Sequence, residues 1–347
     1  MKVALLFDGI SALGAEPDQL ILDTVEAVER ILRDDGEEVV RLPVTADGRW
    51  IERLRRGKFD LAFNLCEGID GVSACEPAVI SVLELLGVPF TGSSSWTTSV
   101  CLRKPLVNAM LGGAGLPVPR WGVVRRGEPL PTIGFPAICK PAEEDASIGI
   151  EQRSVVRTVR ALAERVEAMH ERWEEILVQR YIEGREVNVG IVGARVLPIS
   201  EIRFDALPRG MWRIVSYRSK WETGSDEDLG AAPHCPADLD SELAAELAAI
   251  ALGAWRAVGG EGYGRVDLRL DRSGRPWLLE VNANPDIAPD AGLARMARVN
   301  GQEYPELVRE LCRLALERGA STVPVATRWA LAQRLSGLEH LTGTGPH

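Results

Sequence analysis

Apolar and polar residues follow one another in a strand–helix–strand rhythm over roughly the first ninety residues of the chain. The run KVALLF predicts a buried strand, and apolar residues from Leu20 to Leu32 recur at helical spacing. The runs EEVVRLPV and FDLAFNL predict two further strands, and a helix around Leu83 ends at Gly87. Two parallel crossovers in this stretch predict an open α/β sheet that binds ligands at the carboxyl ends of its strands.

The pattern changes after the GLPVP segment at residues 115–119. The runs GFPAICKPA and EILVQRYI predict strands, and a helix from about Ser154 to Arg172 between them has Val155 and Val159 facing inward. The run EVNVGIVGARVLPISEIRF predicts consecutive antiparallel strands, which a long helix, a strand pair and a last helix follow. The sequence therefore predicts an α/β front followed by an α+β body.

Composition excludes several classes of function. Apolar residues make up 46% and charged residues 26% of the 347 residues, as in an ordinary globular protein. Fifty acidic against forty basic residues give a net charge of −10, which argues against nucleic acid as a partner. No apolar run approaches the ~20 residues of a membrane span, and the start lacks a secretory signal. We therefore expect a cytoplasmic protein with no membrane partner.

Cysteine and lysine usage narrows the candidate chemistry. The six cysteines are dispersed without a C-x-x-C pair, so we expect reduced thiols that serve mostly in packing. Only five of the forty basic residues are lysine. Each lysine is therefore a candidate for a task that needs a compact ammonium group.

The run YGRVDLRLDRSGRPWLLEVN at residues 263–282 predicts a β-hairpin with its tight turn at Ser273-Gly274. A four-residue loop makes one face of this hairpin apolar and the other polar. The predicted cross-strand pairs are Asp271 with Pro276, Leu268 with Leu279, Asp267 with Glu280, Val266 with Val281, and Arg265 with Asn282.

Two facing carboxylates and an amide oxygen suit Mg²⁺, particularly where substrate phosphates complete its coordination shell. For an isolated hairpin, the alternative is a solvated sheet face on which an arginine pairs with a carboxylate. The sequence Asn-Ala-Asn-Pro at residues 282–285 favours a ligand site, because it places a polar loop at the strand end beside the carboxylates.

Short motifs in this region and upstream resemble those of the ATP-grasp superfamily, and within it those of the D-alanine–D-alanine ligase group. Each motif is weak alone, but they occur in the family's order over roughly residues 1–318. They are FNLCEG at 63–68, PFTGSS at 89–94, Lys104 ahead of GLPVP, Lys140-Pro141, Gly184-Arg-Glu186, Arg265-x-Asp267, Glu280-x-Asn282 and Asn284-Pro285.

The resemblance implies an N-terminal open parallel sheet followed by an ATP-grasp fold, in which two antiparallel sheets clamp ATP. Residues 1–100 would form the N-terminal substrate domain, 101–185 the central subdomain, and 186–320 the C-terminal subdomain with the metal site. Residues 321–347 would form a peripheral helix and tail. The related ligases are commonly dimers through the N-terminal domain, so the resemblance also implies a homodimer.

The resemblance also implies a nucleotide site. Lys104 and Lys140 match lysines that contact the phosphates of ATP, and Lys220 matches one that reaches the terminal phosphate. Ser147 lies in the loop over the phosphates. The remaining matches concern the nucleoside. The backbone of Arg180 and Ile182 would contact adenine, and Gln179, in place of the usual glutamate, would accept from the adenine amino group. Glu186 would bind the ribose hydroxyls.

Carboxylate activation is the chemistry that the resemblance implies. Asp267, Glu280 and Asn282 would hold two Mg²⁺ ions, with Mn²⁺ as an alternative. ATP would convert a carboxylate into an acyl phosphate, an amine would attack it, and Arg265 would steady the oxyanion. The products would be an amide, ADP and phosphate, and the partners of the chain would be a small-molecule carboxylate and an amine.

Departures from the family pattern cluster where the amino-acid substrates would bind. Asp286 replaces a glycine, while Ala146, Trp221 and Ala291 replace two serines and a tyrosine. For the first substrate's ammonium, Glu16 is an out-of-register counterpart of the family's glutamate and Glu67 is a rival. Lost hydroxyls weaken directed recognition of a dipeptide, so we expect an acceptor other than D-alanine, such as another amino acid or a specialised metabolite. The alternatives are a true D-alanine–D-alanine ligase, an ATP-grasp phosphotransferase and a non-catalytic ATP-binding protein.

Overall fold

The computed structural model describes residues 1–10 and 19–321. Glu16 and residues 322–347 of the predicted helix and tail lie outside the described residues. The described strands are β1 (Lys2–Asp8), β2 (Glu38–Val44), β3 (Leu61–Asn64), β4 (Trp121–Arg125), β5 (Ala137–Pro141), β6 (Val155–Val156), β7 (Glu175–Arg180), β8 (Gly184–Val192), β9 (Arg195–Val196), β10 (Ser200–Arg203), β11 (Ala232–His234), β12 (Tyr263–Asp271) and β13 (Pro276–Asn282). The described helices are α1 (Gln19–Asp34), α2 (Arg49–Gly57), α3 (Glu76–Leu86), α4 (Ser95–Leu102), α5 (Lys104–Gly113), α6 (Val159–Met169), α7 (Tyr217–Trp221), α8 (Asp226–Gly230), α9 (Ser241–Ala257), α10 (Gly292–Val299) and α11 (Tyr304–Ser321).

The first sheet is parallel, in the order β2–β1–β3. Its central strand is apolar on both faces because helices cover both of them. Leu5 packs in a core cluster with residues of α1 and α11, whereas its neighbour Leu6 packs in a second cluster with residues of α2 and α3. The predicted open parallel sheet is confirmed.

Two antiparallel sheets follow, as the resemblance implies. One has the order β4–β7–β5–β6, and the other has the order β11–β10–β8–β12–β13 with β9 paired to β8. In the second sheet Val187, Val189 and Ile191 of β8 pack with residues of α9 in one apolar cluster. The alternate residues of β8 therefore carry their side chains on the opposite face of that sheet.

The helix predicted from Ser154 begins instead at Val159. Thr158 caps its N-terminus by accepting a hydrogen bond from the Ala161 backbone N–H at 3.1 Å. Val155 belongs to the short strand β6, where it pairs with Ile138 and is buried. The prediction that Val159 faces inward is wrong, because its position in the first turn leaves it 63% exposed.

The β12–β13 hairpin has the predicted register beside the polar residues and a different one near its turn. Arg265 lies opposite Asn282, Val266 opposite Val281, and Asp267 opposite Glu280. A β-bulge after Asp267 then pairs Leu268 with Leu278 and Leu270 with Pro276, so the predicted Leu268–Leu279 and Asp271–Pro276 pairs are wrong.

The turn chemistry accounts for this change of register. The Asp271 carboxylate accepts hydrogen bonds from the backbone N–H groups of Ser273 and Arg275, at 2.9 and 3.1 Å. Asp271 is thereby drawn into the turn, and the bulge absorbs the extra residue. Leu278 consequently fills the core, while Leu279 faces the cavity between the two antiparallel sheets.

All six cysteines carry free thiols, as expected. Among the helices of the part that the structure describes, none is both long and apolar enough to cross a membrane.

Candidate active site

A cavity of about 360 Å³ lies between the two antiparallel sheets, within the usual size range of small-molecule sites. It gathers most of the residues predicted for the nucleotide, the metal and catalysis. Those that line it are Lys140, Ser147, Gln179, Arg180, Ile182, Glu186, Lys220, Arg265, Asp267 and Glu280. Lys104, Asn282, Glu67, Trp221 and Asp286 lie outside this lining, at positions described below.

The Asp267 carboxylate is held from two sides. Arg265 donates to it from Nε and Nη2 at 2.7 and 2.8 Å, and Asn188 Nδ2 donates to its Oδ1 at 2.7 Å. Burial raises the pKa of Asp267, and the bidentate pair with Arg265 offsets part of that rise. The carboxylate is thus fixed in orientation at the cavity wall.

The Glu280 carboxylate lies opposite Asp267 among positive charges. Burial opposes its ionisation, but the nearby charges of Lys104, Lys140 and Arg265 together lower the pKa of Glu280 to about 2. Arg265 Nη2 lies 3.9 Å from Glu280 Oε1. Glu280 is therefore an anion at neutral pH and a fixed negative charge in the cavity.

Asn282 follows on the same strand, and its Oδ1 accepts a hydrogen bond from the Asn284 backbone N–H at 2.9 Å. The donor set of two carboxylates and one amide oxygen suits a hard divalent cation that takes its remaining ligands from phosphate or water. This set contains only two carboxylates, and the described ranges contain no group of three or more Asp, Glu, His and Cys side chains that could hold a metal ion. The donors present therefore fit the predicted ion as a partner of a bound phosphate chain.

The three predicted phosphate lysines occupy different depths. Lys140 is 7% exposed, and burial lowers the pKa of its ammonium group. Lys104 is also buried, and its Nζ donates to the Glu144 carbonyl in the loop that follows β5. Lys220, on α7, is exposed at the cavity wall. Two buried ammonium groups and one exposed one, all near Glu280, suit a polyphosphate.

At the opposite end of the cavity lie the residues predicted for the nucleoside. Glu186 Oε2 accepts hydrogen bonds from Arg269 Nε and Nη2 at 3.1 and 2.8 Å, and no described residue donates to its Oε1. Arg269 Nη1 also donates to the Ile182 carbonyl at 2.8 Å. Arg269 therefore holds both the predicted ribose-binding carboxylate and the adjoining segment of backbone.

Comparisons with known proteins agree on one family. A family model described as the D-alanine–D-alanine ligase C-terminus matches residues 110–313. A D-alanine–D-alanine ligase of Methylococcus capsulatus is 33% identical over 88% of this chain and 93% of its own, and one of Hydrogenovibrio crunogenus is 30% identical over 91% and 95%. The chain belongs to the D-alanine–D-alanine ligase family. It is thus an ATP-dependent carbon–nitrogen ligase.

Two other comparisons concern a solved structure, which bears on the fold, and a relative of undescribed function. The crystal structure of a Bacillus anthracis D-alanine–D-alanine ligase complexed with ATP covers 92% of this chain and 99% of its own, with a TM-score of 0.74 and 22% identity. The ATP-grasp fold expected from the sequence is thereby confirmed. A Sinorhizobium fredii protein called y4sG, described as uncharacterized, is 32% identical over 74% of this chain and 75% of its own.

Arg269 and Asn188 are site residues that the sequence analysis missed. Both follow from the two-residue period of a strand, because Arg269 is two positions beyond Asp267 and Asn188 is two beyond Glu186. Polar residues that repeat at this period beside a predicted site residue were therefore a usable signal.

Asn284 joins the region after the first sheet to the β12–β13 hairpin. Its Nδ2 donates to the Cys66 carbonyl and to Glu76 Oε1, both at 3.0 Å, and its Oδ1 accepts from the Tyr263 hydroxyl at 2.9 Å. Burial and the charge of Glu67 raise the pKa of Glu76 to about 8. No local pattern marks Glu76, because it meets Asn284 only in the folded chain.

Glu67 and Asp286 lie beside this junction, since Glu67 follows Cys66 and Asp286 is two residues beyond Asn284. The Glu67 side chain is exposed to solvent. Desolvation and the charges of Asp286 and Asp145 raise the pKa of Glu67 to about 7, while Lys220 opposes the rise. The structure thus gathers acidic groups around Glu67, close enough to Lys220 for its charge to act on them.

Trp221, the last residue of α7, contacts the loop at residues 142–150. Its Nε1 donates to the Ala146 carbonyl at 3.0 Å, and Ser147 Oγ donates to the Val215 carbonyl at 3.0 Å. Ala146 and Ser147 both adopt left-handed backbone conformations, with φ of 51° and 63°. Contacts to backbone carbonyls therefore hold this loop in a conformation that is unfavourable for residues other than glycine.

Replacing Trp221 by Phe should loosen the loop at residues 142–150. The change keeps an aromatic ring but removes the indole donor, which is worth about 1 kcal/mol as a typical hydrogen bond. We expect roughly two- to tenfold faster amide exchange in the loop and a higher KM for ATP. Trp96→Phe, at a 64% exposed position, is the matched control. Unchanged exchange at Ala146 and Ser147 would contradict the assigned contact.

Replacing Glu76 by Gln should change how stability depends on pH. The folded-state pKa of Glu76, about 8, lies above its ordinary value of 4.5, so its contribution to stability is full below pH 4.5 and is lost as pH rises towards 8. The neutral glutamine does not suffer this loss. The free energy of unfolding of the variant should therefore rise relative to wild type by up to about 1.4 kcal/mol per pH unit over this range. Denaturant titrations at pH 5, 6.5 and 8 measure the difference, with Glu164→Gln as surface control.

Proposed function

We propose that this ligase joins a small-molecule carboxylate to an amine other than D-alanine, through an acyl phosphate made with ATP. The supporting observation is the acidic substrate end of the cleft, where Glu67 is accessible and Asp286 stands in place of a glycine. Negative charge there disfavours an acceptor that carries a carboxylate next to its amine. It favours an acceptor, or a first substrate, that presents a cationic group.

The proposal places ATP along the cavity between the two antiparallel sheets. The base would lie against Gln179 and the backbone of Arg180 and Ile182, and the ribose hydroxyls would bind Glu186. The phosphates would bind Lys104, Lys140, Lys220 and Ser147.

The domain division at residues 100, 185 and 320 belongs to the same proposal. We also propose that the protein is a cytoplasmic homodimer formed through residues 1–100.

Two Mg²⁺ ions, or Mn²⁺ in their place, would be held by Asp267, Glu280 and Asn282. When bound, they would supply charge neutralisation at the phosphates during phosphoryl transfer. The chain's own contribution is to position the donors: Arg265 and Asn188 orient Asp267, and the Asn284 N–H orients Asn282.

Arg265 and Lys220 are the proposed catalytic residues. Arg265 lies between Asp267 and Glu280, which fix its guanidinium and raise its pKa, so it remains a cation throughout the reaction. A fixed cation there could stabilise the oxyanion that forms when the amine attacks. Lys220 is exposed at the mouth of the cavity, where its ammonium could follow the transferred phosphoryl group.

Three replacements at the substrate end support a changed acceptor. Trp221 donates to the Ala146 backbone, so the hydroxyl network expected of the ligases has no counterpart at these two positions. Ala291 is the N-cap of α10 and makes no side-chain capping bond. Glu67 and Asp286 are the proposed ammonium-binding groups, and Glu16 is the alternative to Glu67 outside the described residues.

A true D-alanine–D-alanine ligase is the second candidate, because the relatives that match most of this chain carry that name at 30–33% identity. A screen of ADP release over pairs of carboxylates and amines, with mass spectrometry of the products, separates the two. We expect an amide from an amine other than D-alanine and, with D-alanine alone, at most slow turnover. D-Alanyl-D-alanine formed at the highest rate of the screen would refute the proposed acceptor.

The same screen tests the two remaining candidates. A stable phosphorylated product would identify a phosphotransferase, and absence of any ADP release would favour a non-catalytic ATP-binding protein.

Replacing Glu280 by Gln should abolish Mg²⁺-dependent turnover, by at least about a hundredfold, because it removes a carboxylate ligand without changing shape. Wild-type fluorescence and melting behaviour would show that the fold is intact. Glu164→Gln, a 65% exposed side chain on α6, is the matched control and should keep full activity. Normal turnover of the Glu280 variant would show that the metal ligands lie elsewhere.

A further inference from the structure

Gln179 carries a buried donor that is not satisfied within the protein. The residue lies on β7, between the strands β4 and β5, and is 1% exposed. Its Nε2 has no hydrogen-bond partner in the described part of the chain. Leaving a buried donor unpaired costs about 1–3 kcal/mol, so such a group is expected to meet a ligand.

The orphaned amide belongs to the cavity wall at the nucleoside end. Ile138, Tyr181 and Ile182 line the same region, and they supply the apolar surface that suits a planar base. At this end Arg269 pairs with Glu186, so these two charges neutralise each other. Gln179 is a neutral side chain here whose amide has hydrogen-bonding capacity left to read a base edge.

An amide differs from a carboxylate in what it can recognise. A glutamate in this position, as in the family pattern, offers only acceptors, so it suits an amino group and repels a carbonyl oxygen. Rotating the glutamine amide by half a turn exchanges Oε1 for Nε2 with almost no change in shape. Gln179 can thus accept from an amino group or donate to a carbonyl.

We infer that the base subsite of this ligase binds 6-oxopurine nucleotides as well as adenine nucleotides, with Gln179 as the residue that sets the choice. This inference rests on the proposed placement of ATP in the cavity. The backbone groups at Arg180 and Ile182 that are assigned to adenine still favour the 6-amino purine. We therefore expect weaker discrimination between adenine and 6-oxopurine nucleotides, with adenine nucleotides still bound more tightly.

Calorimetric titration of the full chain with ADP and with IDP, both with Mg²⁺, tests the inference without relying on turnover. We expect wild type to bind IDP within about tenfold of ADP, because Nε2 can donate to the 6-oxo group. Gln179→Glu should weaken IDP binding at least about tenfold more than ADP binding, since its carboxylate repels that oxygen. Methionine has a similar length but neither the amide oxygen nor the amide nitrogen. Gln179→Met should therefore weaken the binding of ADP and of IDP by similar factors.

The outcomes separate this inference from the proposed function. Wild-type binding of ADP with IDP more than about a hundredfold weaker would overturn the inference alone. An unchanged ADP-to-IDP ratio in a folded Gln179→Glu variant would also overturn it. Binding of neither nucleotide would overturn the placement of ATP together with the inference. The wild-type ratio is decisive even if a variant fails to fold.

Discussion

Buried charge must be compensated, and this constraint shapes the whole active-site face of the C-terminal sheet. An isolated charge in the protein interior costs several kcal/mol, so each must meet an opposite charge. Arg265 pairs with Asp267, Arg269 pairs with Glu186, and Glu280 lies near Lys104 and Lys140. These pairs hold the polar face rigid before any ligand arrives. Rigid donors are what positioning catalysis requires.

The same compensation leaves room for a nucleotide. Glu186 uses one carboxylate oxygen for Arg269, and the lysines around Glu280 provide more positive charge than that one carboxylate neutralises. A polyphosphate with its cations would complete this balance. The interior therefore has an excess of positive charge near Glu280 and a carboxylate held by Arg269 at Glu186.

The sequence predicts the centre of the site better than its edges. Alternation of polar and apolar residues determines the register at Arg265, Asp267 and Glu280, because a slip by one residue would bury charges against α9. The register near the turn depends on hydrogen bonds made by the Asp271 side chain, which alternation does not encode. Arg269 and Asn188 could have been found by extending the two-residue period. Glu76 could not, because its contact with Asn284 spans 208 positions of the chain.

The departures from the family pattern change charge at both ends of the cleft in opposite directions. At the base end, Gln179 removes a negative charge that the related ligases usually have. At the substrate end, Asp286 adds a negative charge beside Glu67. The charges of Asp286 and Asp145 raise the pKa of the Glu67 carboxyl. Between these ends, the metal donors and the three lysines remain in the family's order. On the proposed assignment, the residues for the phosphates are retained, while the residues that would meet the base and the amine differ in charge from the family pattern.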